Sequence, residues 1–215
     1  KENAIKVIDI NQNNLFEEGD YVLFYGQSPN RWKYNSNIPY FNYNQHLYSD
    51  KNFYFLTVNS IGNLTGNPKR IEEKNSLLYS TAVVSSFNDY KVHEIEQENL
   101  IESGIEWYGE RFQVQNKYSF QFNFPNIEIN TPVDIKTAVC ARSLNSSFFK
   151  VTADGVQIQQ VNVPNVILDY ASEYAKNSSQ TSSFNTSNSN ISIEIEYFST
   201  ASNSIGWLNY LELNA

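Results

Sequence analysis

Two stretches fix the kind of fold this chain can adopt. In YSFQFNF (118–124), Tyr118, Phe120, Phe122 and Phe124 alternate with Ser119, Gln121 and Asn123. In ISIEIEYF (191–198), Ile191, Ile193, Ile195 and Tyr197 alternate with Ser192, Glu194 and Glu196. Successive strand residues point to opposite faces, so a period of two sets one face on a core and leaves the other in water. VDIKTAVCARS (133–143) puts Val133, Ile135 and Val139 on one face. FFKVTADGVQIQ (148–159) holds Asp154-Gly155 between two apolar runs, the signature of a two-residue hairpin turn built from residues at positive φ. IGWLNYLELN (205–214) reads as a last strand, and DYVLFYG (20–26) and FYFLTV (53–58) as early ones. Aromatic residues make up 15% of the 215, with 15 Tyr and 14 Phe, and rings pack well on a pleated surface. The expected fold is all-β: an antiparallel β-sandwich, jelly-roll-like, over 81–215, preceded by a small β-rich N-terminal subdomain over 1–80. The weakly patterned residues 76–86 hold the expected boundary.

Two segments read differently. YKVHEIEQENLIESGIEW (90–107) spaces Val92, Ile95, Leu100 and Ile101 roughly as a helix does, with Gly104 placed as a C-cap. Glu94, Glu96, Glu98 and Glu102 interrupt its stripe, so a short helix or irregular turns are expected. AKNSSQTSSFNTSNSN (175–190) is polar and of low complexity, and reads as a long exposed loop between two strands.

Charge excludes some functions. The formal net charge is −8, which repels phosphate and argues against a nucleic-acid partner. It argues equally against docking on anionic lipid through a basic patch. One cysteine, Cys140, allows no internal disulfide. No apolar run reaches the length that spans a bilayer as a helix. The start, KENAIKVIDI, is neither an initiator nor a signal peptide, which suggests a processed or cut chain.

The candidate chemistry is sparse. Cys140 with His46 or His93 is the one possible thiol–imidazole pairing, but Cys140 sits mid-strand with no glycine beside it, so a packed, inert thiol is expected. His93 has Glu96 and Gln97 at helical spacing but no second histidine near, and a solvated acidic face is the expected reading. No catalytic residue and no cofactor is expected. A structural Ca²⁺ is the metal that carboxylates and backbone oxygens would suit, with no ligand set assignable. Nucleotide-binding, serine-hydrolase and zinc spacings are missing from the sequence. Trp32, Tyr34, Tyr40, Phe41 and Tyr43, in and after a Pro-containing loop, are candidate interface rings. Tyr48 joins them, beside the polar turn Ser49-Asp50-Lys51, where it is expected to pack on the incoming strand. Phe53 and Phe55 are then expected to face one side and Tyr54 and Leu56 the other. The same rings could stack on sugars.

GDYVLFYGQSPNRW (19–32), NQHLYSDKNFYFLTV (44–58), PKRI (68–71), HEIEQENLIESGIEWYGERF (93–112) and CARSLNSSFFKVTADG (140–155), in that order, resemble the N-terminal region of the type IX secretion system sortase, a gingipain-like cysteine peptidase. IGWLNYLELNA (205–215) resembles the strand before the catalytic domain there, and the resemblance extends over nearly the whole chain. It departs at Ile105, where a basic residue is expected. The resemblance implies a secreted protein on the outer face of the outer membrane of a Gram-negative bacterium. There the sortase removes the C-terminal sorting domain of cargo and joins the cargo to lipopolysaccharide. It implies as partners a peptidase domain following residue 215 and the outer-membrane secretion machinery. The catalytic histidine and cysteine belong to that following domain, so Cys140 is not the nucleophile. The alternative is a carbohydrate-binding β-sandwich recognising surface polysaccharide.

Overall fold

A computed structural model describes residues 2–37, 40–57, 69–75 and 82–215. The end of the expected strand at Val58, the loop after it and much of the expected boundary segment lie outside the described residues. Two compact units form: Lys1–Arg31 with Asn44–Ser85, and Trp32–Tyr43 with Ser86–Ala215.

In the first unit, β1 (Ile5–Ile8) pairs antiparallel with β2 (Tyr21–Phe24). Between them Asp20 gathers the turn: its carboxylate accepts from the backbone N–H of Ile10 at 2.9 Å and of Glu17 at 2.9 Å. These bonds hold the Asp20 carboxyl below its usual range. No described residue of this unit is buried. FYFLTV is not a strand over 53–57. Tyr48 is 84% exposed and Phe55 94%, so the expected packing of Tyr48 and the two-sided arrangement of 53–56 do not form. Apolar residues alone make no strand without a partner to take the backbone hydrogen bonds. The Ser49 turn does form, with its hydroxyl donating to Lys51 O at 2.8 Å and accepting from Lys51 N at 3.1 Å.

The second unit is a two-sheet sandwich. It opens with a hairpin, β3 (Arg31–Asn35) and β4 (Tyr40–Asn44). Then follow β5 (Tyr90–Glu94), β6 (Arg111–Phe112), β7 (Lys117–Asn123), β8 (Pro132–Arg142) and β9 (Ser147–Ala153). The last four are β10 (Val156–Val163), β11 (Lys176–Asn185), β12 (Asn190–Ser199) and β13 (Ile205–Asn214). One sheet has the order β10-β9-β12-β7, the other β11-β8-β13-β5, with β6 pairing β13; the named pairs are all antiparallel. The described residues contain no helix. The alternating faces of 118–124 and 191–198 meet in the core, where Ile191, Ile193 and Ile195 are fully buried against Phe120, Phe122 and Phe149. Asp154 (φ 48°) and Gly155 (φ 85°) turn β9 into β10 as expected.

Of the two exceptional segments, 90–107 forms a strand followed by irregular turns, one of its expected readings, and 175–190 comes out otherwise than expected. The supposed helix begins as β5, whose residues Tyr90–Glu94 pair with Tyr210–Asn214 of β13. The backbone then doubles back, with Glu98 bridging Tyr108 and Gly104 at φ 86° in a turn. A long-range ladder decides this segment, and four acids on the local stripe left nothing for a helix to bury. The polar segment is not a loop. Lys176–Asn185 is a ten-residue strand paired with β8 along its whole length. Backbone hydrogen bonds carry it, with Phe184 reaching the core.

β13 is buried on both faces, and one register shift explains how. Leu208 faces the core at an even position, Leu211 and Leu213 at odd ones, and the pairing with β8 slips between Leu208 and Tyr210. The extra residue of this bulge keeps all three leucines inward. Gly206 stands where a Cβ would meet Phe149 Cζ at 2.6 Å.

Candidate functional site

The outer face of β13 organises two places where polar chemistry is buried. At its C-terminal end Glu212 is 2% exposed. Its carboxylate accepts from Tyr43 N at 2.9 Å and Tyr40 Oη at 3.2 Å. Asn214 pairs with Phe41 like a strand residue, accepting from its N–H at 3.0 Å and donating to its carbonyl at 3.3 Å. These bonds hold the β3–β4 hairpin over the sheet. Burial and the Glu212 charge push the Tyr40 hydroxyl far above its usual range, so it stays protonated and donates. The hairpin's rings close the layer: Trp32 lies 4.3 Å from Tyr90 and 5.0 Å from Tyr43, and Phe41 lies 4.7 Å from Tyr90.

The sequence-derived ring candidates therefore fall in different settings. Tyr40 is buried with its hydroxyl committed. Trp32, Phe41 and Tyr43 are half-buried in the hairpin cluster. Tyr34 is half-exposed beside Phe41, at 5.2 Å. Tyr48, in the first unit, is exposed and meets the His46 ring edge-on at 6.3 Å. The roles of Glu212 and Asn214 had no local signal, since each is an unremarkable polar residue in an alternating strand.

His93 pairs with neither Glu96 nor Gln97. Its Nε2 lies 2.8 Å from Glu110 Oε1, and its ring lies 4.4 Å from Phe120. Next to it on the chain, Glu94 is pushed up to about 7 by burial, then by the charges of Glu96 and Glu212. Among the described residues no three His, Cys, Asp or Glu side chains gather as a metal site would require.

The second place is a cleft of about 530 Å³ at the other end of β13. Two segments wall it. Leu100, Ile101, Ile105 and Glu106 come from the turns after β5; Tyr174 and Asn177 come from the entry to β11. Cys140 and Tyr108 form its floor, packed on Trp207. The Tyr108 hydroxyl lies 2.9 Å from Glu106 Oε2 and 2.8 Å from Asn177 Oδ1, and shares its one proton between these acceptors. Asn177 Nδ2 donates to the same Glu106 oxygen at 2.9 Å. Trp207 Nε1 donates to Glu98 Oε2 at 2.8 Å, which fastens the loop over the indole.

This setting decides the Cys140 chemistry. The thiol is 1% exposed, and burial pushes it up to about 12, with the Glu106 charge adding to that and the Tyr108 hydroxyl opposing it. A nucleophilic cysteine needs the opposite shift, towards thiolate at neutral pH. Cys140 packs the floor and stays protonated.

The sandwich with its small β-rich companion defines an all-β protein built on antiparallel sheets. No protein-family profile matches the chain, and no curated protein matches it in sequence. Among solved structures, the chain is similar to dimeric latent PorU from Porphyromonas gingivalis, with a TM-score of 0.65 at 15% identity. That likeness covers 99% of this chain and 19% of that one, so the chain spans about a fifth of the PorU length. A carbohydrate-binding module, CBM36, in complex with calcium and xylotriose matches at a TM-score of 0.38 and 9% identity, over 60% of this chain and 99% of the module. The CBM36-1 domain of a multidomain xylanase from the hindgut metagenome of Trinervitermes trinervoides matches at 0.36 and 12%, over 58% and 96%. At these identities the PorU likeness is one of fold.

Proposed function

We propose that the chain is the non-catalytic N-terminal region of a sortase-like cysteine peptidase of the type IX secretion pathway, secreted to the outer face of the outer membrane. One observation supports the reading: the likeness of fold to PorU covers 99% of this chain and 19% of that one. The sequence stretches that resemble the family, in order along the chain, support it. So does the protonated, buried Cys140, which leaves the cleavage chemistry to another domain. In this reading the downstream peptidase domain covers rings that stand exposed here, Tyr48, Phe53 and Phe55 among them.

The test begins with the reading frame beyond Ala215. A following segment with a paired His and Cys is expected. The whole protein should then cleave the C-terminal sorting domain from secreted cargo, and Cys140→Ala should leave that activity unchanged. Hydrogen exchange across 48–56 should slow in the whole protein relative to these 215 residues. A stop codon, or a second sandwich in place of a peptidase, overturns the reading.

A glycan-binding role is the second reading, supported by the rings Tyr34 and Tyr48 that face solvent. A glycan screen in which no polysaccharide binds the chain removes it.

A further inference from the structure

We infer that the cleft beside Cys140 binds a cationic side chain on an aliphatic stem, an arginine or lysine of a polypeptide flanked by aliphatic residues. This goes beyond the proposed function and rests on the second unit alone. The cleft's volume, about 530 Å³, accommodates one long side chain with its neighbours. Part of its wall is aliphatic where it meets solvent: Ile101 is 62% exposed and Ile105 57%, beside the exposed polar residues Ser103 and Glu106. Leu100 continues that surface inward onto the Tyr108–Trp207 cluster.

The polar groups set the sign of the ligand. Tyr108 and Cys140 are both held protonated, so neither adds charge at neutral pH. Lys176 is paired with Glu173. Glu106 is then the uncompensated charge in the lining. Both of its hydrogen bonds fall on Oε2, and their donors, Tyr108 and Asn177, are neutral. The site thus offers a carboxylate held from below by two fixed partners, at the mouth of an apolar slot. Glu106 is exposed, so an ion pair formed there stays solvated and screened by salt, and the aliphatic contacts of the stem add to it. The net charge of −8 adds long-range attraction for a basic segment.

Sugar recognition fits the cleft poorly. Stacking on a sugar needs an open ring face, but Tyr108 is 4% exposed, and Arg142 lies 4.1 Å from the Tyr174 ring centroid. The Arg142 guanidinium also donates to Tyr174 O at 2.7 Å, so that ring is held in place.

The test uses the 215-residue chain and a short capped peptide carrying one arginine between leucines. Binding is followed by amide chemical shifts. Shifts confined to 100–108 and 173–177 are expected, with weak affinity that falls as salt is raised. Replacing the arginine by neutral citrulline should weaken binding several-fold. Glu106→Gln should do the same, since it keeps an acceptor for Tyr108 and removes the charge. Ile101→Ser, at an exposed position, should weaken it several-fold. An unchanged melting temperature shows that these variants fold. Shifts elsewhere, no shifts, or equal binding of the citrulline peptide overturns the inference. Shifts at the same residues with xylotriose but not with the peptide also overturn it, in favour of a glycan site.

Discussion

At the scale of single residues, burial decides protonation, and protonation decides what each group can do. Cys140 is the clearest case. Held near 12, it is a thiol at pH 8, so iodoacetamide should leave the native chain unmodified and label it only after denaturation. Rapid labelling of the native protein, read by mass spectrometry, would contradict that. Glu94 has a measurable consequence for stability. Its folded-state pKa is raised from the ordinary glutamate value, 4.5, to about 7. Between those values the folded state binds a proton that the unfolded state has lost. Stability from this group is therefore fully present below pH 4.5 and falls as pH rises towards 7. Glu96, also raised by burial, acts in the same direction. Glu94→Gln should flatten the decline in urea midpoint between pH 5 and 8; an unaltered slope would assign the decline to other groups.

Elements are held by contacts that cross long stretches of chain. Glu212 reaches 169 residues back to Tyr43 and 172 to Tyr40. Glu212→Ala removes the carboxylate that accepts from the buried Tyr40 hydroxyl and from Tyr43 N, and a buried donor left unsatisfied costs about 1–3 kcal/mol. The hairpin amides of 32–43 should then exchange faster, while those of β12 stay protected. β13 tolerates no added atom at Gly206, where an alanine Cβ would sit 2.6 Å from the Phe149 ring. Overpacking of this kind costs about 1–3 kcal/mol, so Gly206→Ala should lower the urea midpoint with its slope unchanged. An unaltered midpoint would mean that the Phe149 ring moves aside freely. β11 shows the converse: Asn177, Ser179, Thr181, Ser183 and Asn185 all face water, and the strand persists because its backbone pairs with β8. The sequence of that strand carries no hydrophobic alternation, so a period-two reading had nothing to detect.

For the whole molecule, the division of buried surface predicts a division of stability. Every buried hydrophobic residue among those described lies in the second unit; the first has none. Regions with little buried apolar surface open at low free energy. Amides of β1 and β2 should exchange orders of magnitude faster than those of β8, β12 and β13 in the 215-residue chain. Equal protection would mean that contacts other than apolar burial hold the first unit. A single thiol also makes the fold indifferent to reductant, so dithiothreitol should leave the melting temperature unchanged.

The sequence by itself determined the sandwich. The alternating faces of 118–124 and 191–198, the Asp154-Gly155 turn and the lone mid-strand cysteine all carry their physics within a few neighbouring residues. The tertiary structure alone decided the rest. It made a strand of 90–94 because β13 offered a ladder, and a strand of 176–185 because β8 did. It left 53–57 out of any strand, with no ladder partner among the described residues. It placed Glu106, Tyr108, Cys140 and Asn177 around one cleft, although 71 residues separate the first from the last. Local periodicity records which face of a strand is apolar. Which strands pair, and which polar groups their loops bring together, depends on contacts between residues far apart in the chain, and no short window of sequence contains those.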